Sequence, residues 1–273
     1  MIDLHLHTTA SDGALTPSQL VERAARCGIT VLSITDHDTT AGVAEGQAAA
    51  DRHGLTLVPG IEITAVERGR DVHVLGYFID PHHAALAEFL VRQRADRLRR
   101  VIDIGARLSE LGCPIDTDAL VQEAVASGGR SVGRPRVADA LVAAGHARDR
   151  DDAFARLLGT DCPAFIPRSG EIPEAVVAVI RRAGGIASLA HPVHLKNDDL
   201  IRRLADAGLQ AIEARHRDHD ADTERHYREL AARFNMAVTG GSDFHNDHDA
   251  RGQAFGTLTL PPADYERLRA LVA

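Results

Sequence analysis

Short apolar runs recur along this chain of 273 residues, each followed by a helix-forming stretch, and that alternation limits the folds open to it more than any other feature. Ile2–Leu6, Val31–Ile34, Leu55–Val58, Val72–Phe78, Ile186–Leu189, Ala211–Glu213 and Ala237–Thr239 read as strands. Thr16-Pro17 supplies a cap and a first-turn proline for a helix that Gly28 closes, and Ala41–His53 is helical with Gly54 as its stop. The rhythm returns with helices over Pro173–Ala183, Leu200–Ala207, Ala221–Phe234 and Pro262–Val272. Strands alternating with helices imply parallel βαβ units, and this many imply an α/β barrel.

Between residues 82 and 165 the rhythm breaks. Four helical segments follow one another, 83–111, 116–127, 134–144 and 150–158, separated by Gly112, Gly128-Gly129 and Gly145. The expected organisation is a barrel from 1–81 and 166–273, with 82–165 as a helical insertion forming a lid over the site. Lys plus Arg number 31 against 39 Asp plus Glu, which argues against a basic nucleic-acid binder over the whole surface. No apolar run approaches about 18 residues and no signal-peptide pattern opens the chain, so no membrane partner is expected. Cys27, Cys113 and Cys162 are odd in number and lack CxxC spacing; they read as reduced thiols of a cytoplasmic protein. No obligate protein partner is evident.

The chemistry lies at the strand ends. His5 and His7 occupy i and i+2 of the first strand, so both imidazoles share a face. Asp12-Gly13 follows in the next loop. The second strand runs into Thr35-Asp36-His37-Asp38, the third into Pro59-Gly60-Ile61-Glu62, and His73 lies on the fourth. Later strands lead into Ala190-His191-Pro192 and Gly240-Gly241-Ser242-Asp243-Phe244-His245. Singly, each histidine reads as a surface residue, and Asp12 before Gly13 as a turn residue. Together they crowd the face where barrel enzymes build active sites, and unpaired buried imidazoles there would cost stability. Imidazole and carboxylate without thiolate suit Zn, Mn, Fe or Co, and the ligands exceed what one or two ions need. Other charges read as background: Arg92, Arg94, Arg97, Arg99 and Arg100 as a solvated helix face, and His216, His219 and His226 as a polar helix start. His53, His82-His83, His146 and His248 read as loop or surface positions.

His5-Leu6-His7-Thr8 with Ser11-Asp12-Gly13, Ile34-Thr35-Asp36-His37-Asp38-Thr39, Gly60-Ile61-Glu62 and Gly241-Ser242-Asp243-Phe244-His245 closely resemble the PHP (polymerase and histidinol phosphatase) family of the amidohydrolase superfamily. The resemblance spans nearly the whole chain, with the motifs in family order. It implies a distorted (β/α)7 barrel holding two to three divalent ions (Mn, Zn or Fe). The ligands it implies are His5, His7, Asp12, His37, Glu62, His73, His191, Asp243 and His245. Glu62 would bridge two ions, one completed by His5, His7 and Asp243 and the other by His73 and His191; Asp12, His37 and His245 would hold the third. The helical insertion and Ser131-Val132-Gly133-Arg134-Pro135 resemble the branch that removes 3′-phosphates from 3′,5′-bisphosphonucleotides and trims short oligonucleotides, RNA or DNA. Arg136 stands where relatives often carry His.

Clustered divalent ions lower the pKa of water and stabilise phosphoryl charge, so the residues independently suit phosphoester hydrolysis. Asp243 and His194 are the candidate catalytic residues, His194 as proton donor or phosphate ligand. Arg134 would clamp a phosphate through its guanidinium fork, and Arg168 and Lys196 are further phosphate candidates. Two readings compete. A histidinol-phosphate-type phosphatase or C–N amidohydrolase would use the same centre, although a neutral amide has no use for Arg134. A non-catalytic metal-binding module is the other.

Overall fold

The computed structural model describes residues 1–126, 128–247 and 252–272. Seven strands form one sheet in chain order: β1 (Ile2–Leu6), β2 (Val31–Ile34), β3 (Thr56–Glu67), β4 (Arg70–Tyr77), β5 (Ile186–Leu189), β6 (Ala211–His216) and β7 (Ala237–Gly241). The sheet curls into a barrel. Leu6 bridges in parallel to Phe244, and the His7 N–H donates to the Phe244 carbonyl at 3.0 Å. Outside it pack α1 (Pro17–Arg26), α2 (Val43–His53), α7 (Pro173–Arg182), α8 (Asp198–Asp206), α9 (Ala221–Arg233) and α10 (Pro262–Arg269). At the start of α1 the expected cap is a reciprocal one: Thr16 accepts from the Gln19 N–H, and Gln19 from the Thr16 N–H.

One sequence expectation is corrected here. The strands are not all parallel, because β4 runs antiparallel to both β3 and β5. β3 continues eight residues beyond Pro59, through Ile61, Ile63 and Ala65, whose side chains are buried while the strand leaves β2 and pairs with β4. It then reverses at Arg68-Gly69, both at positive φ (51° and 78°). A two-residue turn of that hand can only join antiparallel strands. The reversal has a functional consequence. Glu62 lies mid-strand, not at a strand end, and β4 enters the barrel at the face where the parallel strands finish, which puts His73 beside them.

Between β4 and α7 the chain builds α3 (Ala84–Glu110), α4 (Thr117–Ala126), α5 (Arg134–Ala143) and α6 (Arg150–Ala153), with α6 running into a π-helical turn over Phe154–Leu158. The first half of α3 buries Leu86, Phe89 and Leu90 against the barrel. Its second half turns Val101, Ile104 and Leu108 into a separate core with Val137, Leu141, Leu158 and Ala164. The Ser131 N–H donates to the Ala10 carbonyl and Thr39 Oγ1 to the Gly129 carbonyl, so this helical cluster sits on the loops after β1 and β2. No helix among the described residues is long and apolar enough to cross a membrane.

Candidate metal centre

Nine side chains converge at the barrel face beneath the helical cluster. His5 points inward from β1 and His7 from just after it, Asp12 from the following loop, His37 from the loop after β2, Glu62 from β3 and His73 from β4. His191 follows β5, and Asp243 and His245 follow β7. Close packing requires glycine beside two of these motifs. A Cβ on Gly13 would collide with the His7 carbonyl, and one on Gly241 with the His5 backbone nitrogen. Three residues of the face also carry left-handed backbone, Asp38 (φ 52°), His191 (φ 26°) and Asp243 (φ 51°), strain of the kind that accumulates where function over-determines the chain.

Glu62, 1% exposed, is the hub. Its Oε2 lies 3.1 Å from His37 Nδ1, 3.2 Å from His7 Nε2 and 3.4 Å from His5 Nε2. Its Oε1 lies 2.8 Å from His73 Nδ1 and 3.2 Å from His191 Nε2. Asp243 Oδ1 is 3.3 Å from His7 Nε2 and 3.5 Å from His5 Nε2. Asp12 sits 3.4 Å from His245 Nε2, 3.7 Å from His7 Nδ1 and 3.8 Å from His37 Nε2. The donor atoms fall into overlapping groups: His5, His7 and Asp243; His5, Glu62 and His191; His37, Glu62 and His73; His7, Asp12, His37 and His245.

The cluster fits divalent cations. Five imidazole nitrogens (His5 Nε2, His7 Nδ1 and Nε2, His37 Nδ1 and His73 Nδ1) and Glu62 Oε2 are buried without a hydrogen-bond partner. Orphaned buried polar atoms are rare in folded proteins and are explained by an ion that takes up their lone pairs. Tetrahedral bonds of about 2.0–2.1 Å place neighbouring ligand atoms about 3.3 Å apart, close to most of the separations above.

The electrostatics agree. Burial opposes charge on Asp12, Glu62 and Asp243, yet the surrounding imidazoles hold all three well below the usual carboxylate range. Burial pushes His37 and His191 down, His191 to about 4, which keeps them neutral and able to ligate. Burial also works against charge on His7, but the Asp243 and Glu62 carboxylates beside it win and carry it to about 10. Metal binding releases such protons.

Two residues of the centre escaped the sequence reading. Glu213, fully buried on β6, accepts from His5 Nδ1 at 2.9 Å and from the His191 N–H at 2.8 Å. It fixes the His5 tautomer so that Nε2 faces Glu62 and Asp243. His216 was read as part of a polar helix start; instead β6 extends to it, leaving it 2% exposed with Nε2 3.7 Å from Asp243 Oδ2. The signal was present. Glu213 interrupts an apolar strand as Glu62 does, and His216 ends a strand as His37 and His191 follow theirs.

Above the cluster lies a cleft of about 310 Å3 whose far wall comes from the helical insertion. Arg97 and Arg100, two of the five α3 arginines read as a solvated face, line it with Arg134 and Arg168. Arg97 Nε donates to Asp38 Oδ2 at 2.5 Å, and Arg168 reaches the same oxygen at 3.0 Å and Asp96 at 3.2 Å. Arg100 and Arg134 share Asp71, at 3.4 and 3.1 Å, and Arg100 Nη2 is buried without a partner. Burial lowers Arg100 to about 10, leaving it charged at neutral pH. At the mouth, His194 Nε2 lies 3.1 Å from Asp218 Oδ2, and that hydrogen bond helps lower Asp218 to about 2. Lys196 is exposed and does not line the cleft. His53 is exposed, and His248 lies outside the described residues.

Known proteins resemble this chain in sequence and in fold. The chain is 36% identical over 249 residues to a 5′-3′ exoribonuclease of Haemophilus influenzae, covering 89% of each protein. It is 34% identical over 266 residues to a 3′,5′-nucleoside bisphosphate phosphatase of Chromobacterium violaceum, covering 96% of this chain and 93% of that one. A Bifidobacterium adolescentis crystal structure, inferred to be a metal-dependent phosphoesterase, superposes with a TM-score of 0.89 at 35% identity, covering 98% of this chain and 95% of that one. The PHP domain family model matches residues 3–133, a stretch that holds the first histidine pair and Arg97 and Arg100 of the cleft wall. With the ligand cluster, the barrel and these full-length likenesses in agreement, the chain belongs to the PHP domain family.

Proposed function

We propose that this protein is a metal-dependent phosphoesterase that hydrolyses the 3′-phosphate of 3′,5′-bisphosphonucleotides such as adenosine 3′,5′-bisphosphate, and that it also accepts short 5′-phosphorylated oligonucleotides. One observation carries the reading: a carboxylate–imidazole cluster faces a wall of guanidinium groups across a cleft sized for a small molecule. That pairing suits a ligand with an ester at one end and further negative charge at the other. A neutral amide would leave the two charges of Arg100 and Arg134 with only the single carboxylate of Asp71 between them.

His5, His7, Asp12, His37, Glu62, His73, His191, Asp243 and His245 would hold two to three divalent ions, of manganese, zinc or iron. When bound, these ions lower the pKa of water at the site and stabilise negative charge on phosphoryl oxygens. Arg134 and the unpartnered Nη2 of Arg100 orient the substrate through its other phosphate. Asp243 Oδ2, facing His216 and Arg217 instead of the His5–His7 pair, takes the proton of the attacking water. His194, held by Asp218 at the mouth, returns a proton to the departing 3′-oxygen. Residues 82–165 act as a lid that keeps bulk water from the cleft. The three unpaired cysteines support a reducing, cytoplasmic setting.

The test is phosphate release by Mn-loaded protein from adenosine 3′,5′-bisphosphate beside 3′-AMP, 5′-AMP and histidinol phosphate. Preferential release from the bisphosphate supports the reading; release mainly from histidinol phosphate overturns it. His37→Ala should abolish turnover while the fold persists, and an active variant would refute the assigned centre.

A further inference from the structure

A second cavity, of about 120 Å3, lies on the other side of Val132 and Asp12 from the main cleft, between the loop after β1 and the helical insertion. Its wall is predominantly cationic: Arg130, Arg136 and Arg150 face Glu123, with Asp12 shared between the two cavities. Two of the guanidinium groups are held in place. Arg136 Nη2 donates to both Glu123 oxygens at 2.6 and 2.8 Å, and Arg150 grips Asp139 at 2.6 and 2.8 Å. Glu123 and Asp139 hold Arg136 and Arg150, Asp12 faces the histidines, and Arg130 pairs with no carboxylate among the described residues.

A second observation points to a ligand. Ser131, only 5% exposed, lines the cavity with an Oγ that has no hydrogen-bond partner, although its own N–H is satisfied by Ala10. A buried hydroxyl beside fixed guanidinium groups is a donor lacking an acceptor. The placement is informative. Arg134 lines the main cleft, whereas Arg130, Ser131 and Arg136 line the second cavity, so the segment 130–136 carries cationic groups to both sides of the metal ligand Asp12. A mononucleotide bisphosphate needs one cationic pocket beside the metals. A chain of nucleotides has a use for two.

We propose that this cavity is a separate phosphoryl subsite, formed by Arg130, Ser131, Arg136 and Arg150, which holds an internucleotide phosphate next to the ester being hydrolysed. Water then adds across one P–O bond, leaving a phosphate on one product and a hydroxyl on the other, while the neighbouring phosphate stays bound. The inference rests on the phosphoesterase reading above, and its test separates the two. Arg130→Ala and Ser131→Ala are compared with the parent enzyme on adenosine 3′,5′-bisphosphate and on a 5′-phosphorylated triadenylate. Loss of one charge-assisted phosphate contact raises KM for the triadenylate about tenfold in Arg130→Ala, with bisphosphate kinetics unchanged. Binding of the same triadenylate to metal-free protein, followed by fluorescence anisotropy, loses about 0.7 from its log–log salt slope in Arg130→Ala, a signature that a structural lesion does not produce. Equal losses on both substrates, or no loss on either, overturn the subsite. A parent enzyme that cleaves the bisphosphate but leaves the triadenylate intact overturns the subsite alone; one that cleaves neither overturns the phosphoesterase reading with it.

Discussion

Replacing Glu213 with Gln isolates what this buried carboxylate does for the metal centre. The carboxylate accepts two hydrogen bonds, from His5 Nδ1–H at 2.9 Å and from the His191 backbone N–H at 2.8 Å. Glutamine keeps the shape and has one acceptor and one donor. If its oxygen faces His191, its amide confronts His5 Nδ1; the ring must then carry its proton on Nε2, the atom directed at Glu62 and Asp243, and a ligand lone pair is lost. If its oxygen faces His5, the amide meets the His191 N–H head-on and pushes a residue already held at φ 26°. Neither orientation preserves both ligands. Loss of a partner that orients a metal-bound histidine typically weakens metal affinity about 10–100-fold, which is about 1.4–2.8 kcal/mol at a factor of ten per 1.4 kcal/mol. Competition between the protein and a fluorescent chelator for Mn or Zn measures this directly. Glu213→Gln binding within twofold of the parent, with an unrotated His5 ring in a crystal structure, would refute the assignment of tautomer control to Glu213.

Three further predictions follow from the same geometry. Asp38→Asn strips Arg168, whose side chain is 1% exposed, of its shorter carboxylate contact, and should lower stability by about 3–5 kcal/mol in urea unfolding; a loss below about 1 kcal/mol would contradict it. Burial disfavours the Asp38 charge, but Arg168 and Arg97 hold its carboxyl well below the ordinary value of 3.8, so its contribution is complete above about pH 4 and disappears as pH falls further; the acid limb should be shallower in Asp38→Asn. Arg134→Ala should raise KM for the bisphosphate at least about tenfold with unchanged metal content by elemental analysis, and loss of metal would assign Arg134 to the scaffold instead. Chelation should lower the thermal midpoint, and restoring an ion to 100 times its Kd should return about 2.7 kcal/mol per site, since each ion takes up buried lone pairs that nothing else satisfies.

The candidate cluster was legible because its side chains belong to local patterns. His5 and His7 share a face by strand alternation, and Asp243 and His245 follow a Gly-Gly strand end whose Gly241 admits the β1 backbone and Gly240 that of β6; such signals survive without knowledge of the fold. What was not legible depends on pairing between distant segments. Nothing in Pro59–Glu67 alone says that this strand leaves β2 for β4 halfway along, so Glu62 was expected at a strand end when it lies mid-strand. The arginines of α3 illustrate the same limit. Arg92 and Arg99 are solvated, as such runs usually are, whereas Arg97 and Arg100 turn inward because Asp38 and Asp71, from two other elements, await them. Helical periodicity could say that these arginines lie on different faces; only the barrel beneath says which face meets carboxylates. The guanidinium wall is therefore a tertiary product, assembled where the insertion docks on the loops that carry the ligands. That coupling predicts that a change in the insertion reshapes the cleft without touching a single residue of the carboxylate–imidazole cluster.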